Sequence, residues 1–167
     1  MRYLRVLFCL VLAITLVGCN IYDDDDNVSS NTPDNTLATG LQTMQSNGVE
    51  RSYYLVLPEA DVAAANAAAV NEPLKPLIIG YHGSFGSHRS WIGETDQYGF
   101  VDEVGNGAIM VFPDALELSE DNINWNFDYD FLFFEDLLAE LELRGLKYDK
   151  NRLFVVGHSS GAGMANE

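Results

Sequence analysis

The sequence predicts an α/β protein built on a mostly parallel sheet with helices on both faces, and three observations carry that prediction. Short, solidly apolar runs recur at Leu77–Tyr81, Ala108–Phe112 and Arg152–Val156, as expected of strands buried on both faces. Helical pattern separates them, clearest between residues 129 and 144. The third run leads straight into Gly157-His158-Ser159-Ser160-Gly161. Strand and helix in alternation favour parallel pairing with helical crossovers.

The chain opens with Arg2 and Arg5 around a short positive region, and Val6–Val17 is almost wholly apolar. Twelve residues rise only about 18 Å as a helix, too little for a bilayer core, so residues 1–18 read as a secretory signal peptide. Leu16-Val17-Gly18-Cys19 resembles a bacterial lipobox, which implies lipidation at Cys19 and a membrane anchor outside the cytoplasm. An ordinary signal peptide with an incidental cysteine is the plainer alternative. Cys9 falls inside the signal, so no disulfide framework is expected after processing.

Residues 19–40 combine Asp23–Asp26 with Asn, Ser, Thr and Pro33, a composition unable to bury enough apolar surface to offset ordering entropy. They read as a flexible acidic tether, with a reach of roughly 25 Å for about 20 residues. The Asp run lacks the spacing and glycine of a calcium loop, and no metal or other cofactor is expected. The folded domain is placed at residues 41–167. Its elements begin with a β-rich Arg51–Leu57 ended by Pro58, then Asp61–Val70, where six alanines in ten residues suggest a short surface helix or inserted loop. A helix is expected around Asp96–Val104. For the helix at Tyr129–Arg144, Phe131, Phe134, Leu138 and Leu141 form the apolar stripe, with Asp136, Glu140 and Arg144 opposite. Asp128 or Asp130 is expected to cap its start and Gly145 to end it.

The formal charge of −16, from 25 acidic and 9 basic residues, argues against nucleic acid as a partner, since phosphates call for Lys and Arg. The chemistry centres on Ser159. A nucleophile elbow needs a strand, a sharp strained turn and a helix, with glycines two residues to either side to avoid clashes; Val155-Val156, Gly157, Gly161 and Gly163 meet that need. An oxyanion needs two N–H donors. The Ser160 N–H is the first candidate. The second lies in His82-Gly83-Ser84-Phe85-Gly86, directly after the strand at Leu77–Tyr81, with the Ser84 N–H assigned and Gly83 as fallback. His82 is read as bracing that loop. His88 and Trp125 are the candidate substrate contacts, and His158 is expected to point away from the site.

Pro76–Gly83, Val111–Ala115, Asn124-Trp125-Asn126, Tyr129–Phe131 and Tyr148–Gly157 together resemble, in order, the polyhydroxybutyrate depolymerase and feruloyl esterase group of α/β-hydrolases. The resemblance covers about Arg51–Met164. It implies the N-terminal half of an α/β-hydrolase and hydrolysis of carboxylic esters: polyhydroxyalkanoates, feruloyl or acetyl esters of polysaccharide, or related small esters. In that fold the triad runs Ser, acid, His, whereas His82, His88 and His158 all precede Ser159. The acid and histidine are therefore expected beyond Glu167, and the chain alone is expected to be inactive. A serine peptidase of the same fold remains open, as does a non-catalytic carbohydrate- or ester-binding lipoprotein that uses Trp91, Trp125 and Tyr129 for stacking. Oligomeric state is not legible.

Overall fold

The computed structural model describes residues 37–59, 73–92, 98–117 and 123–167. The expected signal peptide, Cys19, the Asp run and the alanine-rich Asp61–Val70 lie outside the described residues. Among the described residues five strands form one sheet: β1 Gly40–Ser46, β2 Val49–Val56, β3 Leu77–Tyr81, β4 Ile109–Pro113 and β5 Leu153–Gly157. Their order is β1-β2-β4-β3-β5. β1 with β2 and β2 with β4 pair antiparallel, while β3 pairs parallel with both β4 and β5. The predicted class is what the structure shows: a mixed, mostly parallel sheet with helices on both faces.

Period-two alternation sorts the side chains of the central strands. Tyr53, Leu55, Leu77, Ile79, Ile109 and Val111 point to one core, where Phe133, Leu137 and Leu141 of helix α2 (Phe127–Leu143) and Met164 of helix α3 (Ser160–Asn166) cover them. Met110 and Phe112 point the other way, under Trp91, Tyr98 and the short helix α1 (Phe100–Val104). β4 is buried along its whole length, which explains its solid apolar run. Gly80 sits in β3 because a Cβ there would lie 2.7 Å from the Phe112 ring; its absence lets Phe112 stack on Trp91 at 5.4 Å.

β1 was not foreseen, and it starts at Gly40, inside the expected tether boundary. Leu37 packs on the core and the Thr39 hydroxyl accepts the Leu57 N–H at 2.9 Å, so the fold already includes the last residues assigned to the tether. Helix α2 also differs in phase. Its buried residues are Asp130, Phe133, Leu137 and Leu141, with Phe131, Phe134 and Leu138 only partly covered. Each fully buried Leu or Phe contributes roughly 1.5–3 kcal/mol, so these three apolar residues fix the helix to the sheet. The cap is Asn126, whose side chain accepts the Asp128 N–H, one turn ahead of Asp130. Asp130 is buried and supports the cap from inside the helix, its carboxylate accepting the Asn126 N–H. Gly145 ends the helix as expected: at φ +87° it closes a Schellman turn, with Leu146 N–H donating to Leu141 O and Gly145 N–H to Glu142 O.

Candidate active site

β5 delivers Ser159 to the carboxyl end of the sheet, and α3 leaves immediately behind it. Ser159 has φ 52° and ψ −118°, a conformation that a residue with a Cβ holds only when its surroundings impose it. Two glycines impose it here. A Cβ on Gly157 would stand 2.1 Å from the Gly161 carbonyl oxygen, and one on Gly161 would stand 2.2 Å from Tyr81 O. The turn is pinned by His158 N–H to Tyr81 O, Gly161 N–H to His158 O and Ala162 N–H to Ser159 O. The result is an exposed hydroxyl standing clear of the sheet. Ser160 N–H, at the first position of α3, is one of the orphan donors that every helix start leaves; the Ser160 hydroxyl is buried without a hydrogen-bond partner.

A shallow depression of about 120 Å³ opens beside Ser159, lined by Gly83, Ser84, Gly86, Ser90, Tyr98 and His158. Ser84 and Ser159, assigned from sequence as donor and nucleophile, therefore share one concavity. Gly83 allows the approach, since a Cβ there would meet His158 Nδ1 at 2.9 Å and Ser159 Cβ at 3.3 Å. The loop turns tightly through Gly86 N–H to Gly83 O, with Phe85 at φ 61°. Phe85 N–H to Ile123 O at 2.8 Å and the Ser84 hydroxyl to Asn124 Oδ1 at 3.3 Å tie it to the segment before α2.

The histidines divide by role. His82 is wholly buried; its Nε2 accepts the Ala115 N–H at 3.0 Å and its Nδ1–H donates to Gly83 O at 2.7 Å, which fixes the neutral tautomer. His88 is turned to Asp114: its Nδ1–H lies 2.8 Å from Oδ2 and its backbone N–H 2.6 Å from Oδ1, with the ring stacked on Tyr54. His88 does not line the depression. Neither does Trp125, which is buried with its indole N–H donating to His82 O at 2.7 Å. His158, expected to face away, instead forms part of the wall, its ring 5.0 Å from Tyr98. Among the described residues no hydrogen bond joins an imidazole to the Ser159 hydroxyl, and no cluster of three or more His, Cys, Asp or Glu is arranged to hold a metal.

Burial lowers the His82 pKa from its ordinary 6.5, against the opposing pull of the Gly83 carbonyl and Asp114. The unfolded chain thus takes the proton first, so the stability contribution is complete above pH 6.5 and is lost as pH falls below it. Urea midpoints are expected to fall between pH 7 and pH 5, with the part due to this ring missing in His82→Gln. Equal pH slopes in both proteins would show that His82 carries none of it. Asp114 behaves differently: burial pushes its carboxyl up, but the bonds from the His88 ring and backbone and from Ser52 outweigh that and hold it below 3.8.

No family model matches this sequence, and no curated protein matches it. Solved structures do. A ferulic acid esterase superposes with TM-score 0.58 at 18% identity, covering 77% of this chain and 52% of its own. The native form of pOPH superposes with TM-score 0.57 at 19% identity, covering 81% and 47%. This chain has the α/β-hydrolase fold and spans about half the length of the solved structures it matches.

Proposed function

We propose that the chain carries the nucleophile and oxyanion donors of a serine carboxylic ester hydrolase that acts through an acyl-enzyme at Ser159. The observation that carries the reading is the strained, exposed Ser159 on a glycine-enforced elbow, facing the Gly83–Ser84 loop across one depression. In this reading the Ser159 oxygen attacks the ester carbonyl carbon and forms a new C–O bond, while its proton passes to a general base. The N–H groups of Ser160 and Ser84 donate to the developing oxyanion. Collapse expels the alcohol, which takes that proton, and water then releases the acid by the same route in reverse. Polyhydroxyalkanoates and feruloyl or acetyl esters of polysaccharide are the substrate classes proposed, on the sequence resemblance and in keeping with the ferulic acid esterase among the structural neighbours.

His82 and His88 are committed to other partners and His158 makes no bond to Ser159, so the reading needs a base that these three do not supply. Residues 1–167 by themselves are therefore expected to leave p-nitrophenyl acetate at the background rate, as measured by p-nitrophenolate release. Turnover that disappears in Ser159→Ala would assign the base to one of them. In the protein as expressed in its own cells, a fluorophosphonate is expected to label the peptide that carries Ser159; absence of adduct there sinks the esterase reading. Export with lipidation at Cys19 belongs to the same proposal, on sequence grounds. Metabolic palmitate labelling lost in Cys19→Ser is the check, and equal labelling in both would refute it.

A further inference from the structure

The loop between His82 and His88 carries Ser84, and both of its ends are held by the same two residues at the end of β4. At one end the Ala115 N–H donates to His82 Nε2 at 3.0 Å, and His82 in turn holds Gly83 O through Nδ1–H. At the other, the Asp114 carboxylate accepts the His88 ring N–H and backbone N–H. Asp114 is itself braced: the Ser52 hydroxyl donates to Oδ2 at 2.8 Å, Asp114 N–H donates to Ser52 O at 3.0 Å, and the Arg51 guanidinium donates to Asp114 O at 3.1 Å. The His88 ring stacks on Tyr54 of β2 at 5.4 Å and 14°. Five residues, Gly83–Ser87, span the gap between the two anchors; Phe85 and Ser84 reach Ile123 and Asn124, and Ser87 accepts the N–H groups of Ser90 and Arg89.

We propose that Asp114-Ala115 is a clamp on the Ser84 loop and that His82 and His88 are positioning residues, holding the loop N–H groups at a fixed height beside Ser159. The inference rests on the esterase reading for its chemical purpose, though not for its geometry. Neither histidine touches substrate; each acts through the backbone it holds. A charge-assisted bond is stronger than a neutral one, so the His88–Asp114 arm carries more of the restraint. It anchors the end of the loop that has no strand to continue from.

The test separates His88 as a hydrogen-bond donor from His88 as a packing ring. His88→Phe keeps a ring for Tyr54 and removes the donor; His88→Asn places an amide N–H about where Nδ1 stood. Amide hydrogen exchange on the full chain reads the Phe85 and Gly86 N–H groups, with β4 and α2 amides as the internal reference. His88→Phe is expected to speed Phe85 and Gly86 about tenfold, the scale of one lost hydrogen bond to a charged group. The reference amides should stay within about twofold and His88→Asn should restore the loop. Unchanged loop exchange in His88→Phe overturns the proposal. So does loosening equal in both variants, or a rise shared by every amide, which would assign His88 to the fold as a whole. Failure of Ser159 to react with a fluorophosphonate would leave these rates untouched, so the clamp and the esterase reading fail separately.

Discussion

Replacing Asp130 by alanine is expected to destabilise the folded chain by about 3–5 kcal/mol, because it strands a buried cation. Arg51 and Asp130 are 5% and 1% exposed and meet at 2.5 Å. The pair is bonded further: Asp130 accepts the Asn126 N–H at 2.6 Å, Arg51 donates to Asp114 O, and the guanidinium lies 4.0 Å over the Phe133 ring. Arg51 is only 5% exposed, so little water can replace the lost carboxylate and the charge keeps most of its desolvation cost with little in return. The pair also joins β2 to the start of α2, and the Asn126 cap loses its reciprocal bond in the same variant. Urea unfolding at pH 7 gives the number. A loss under about 1 kcal/mol would mean that the site relaxes to admit water and that the pair is not buried in solution. Replacing both partners by apolar residues of similar volume should cost far less than removing one.

The second large effect is steric and falls on the elbow. Gly161→Ala places a Cβ 2.2 Å from Tyr81 O and 2.4 Å from His82 O, both backbone atoms at the end of β3. Neither can swing aside as a side-chain tip would, so α3 must retreat or the strand end must bend. A loss of at least about 3 kcal/mol is expected, at the upper end of what overpacking costs. Gly163→Ala, two residues on, is the control. Its Cβ would meet only the tip of the Phe127 ring at 3.3 Å, and a change within about 1 kcal/mol is expected. Equal losses in the two variants, read by the same urea unfolding, would refute the steric account of the elbow.

The sequence shows the central strands plainly because β3 and β4 are covered on both faces, and burial on both faces leaves only apolar residues to read. β1 was invisible for the opposite reason. Gly-Leu-Gln-Thr-Met-Gln-Ser is an edge strand in which Met44 and Ser46 are buried while Leu41 is 56% exposed, so its pattern carries almost no hydrophobic signal. The phase of α2 was misread because Phe127, Phe131, Phe133 and Phe134 offer apolar residues in several directions. A buried Asp130, paired with an arginine 79 residues away, decides which direction faces the sheet. The elbow was legible because its demands are local: a strand, a strained residue and glycines at fixed offsets. The settings of His88 and Trp125 depend on Asp114 and on His82 O, partners that no local pattern announces.

The strand order has a consequence for how the molecule is made. β3 lies between β4 and β5, and both of those come later in the chain. As the polypeptide leaves the ribosome, Leu77–Tyr81 emerges with neither neighbour in existence. At about 5–20 residues per second, the first partner is some seconds behind and the second later still. An apolar strand with two open edges is what holdase chaperones bind. The nucleophile turn forms only when β5 docks on β3, so it is among the last parts of the described sheet to be built during synthesis.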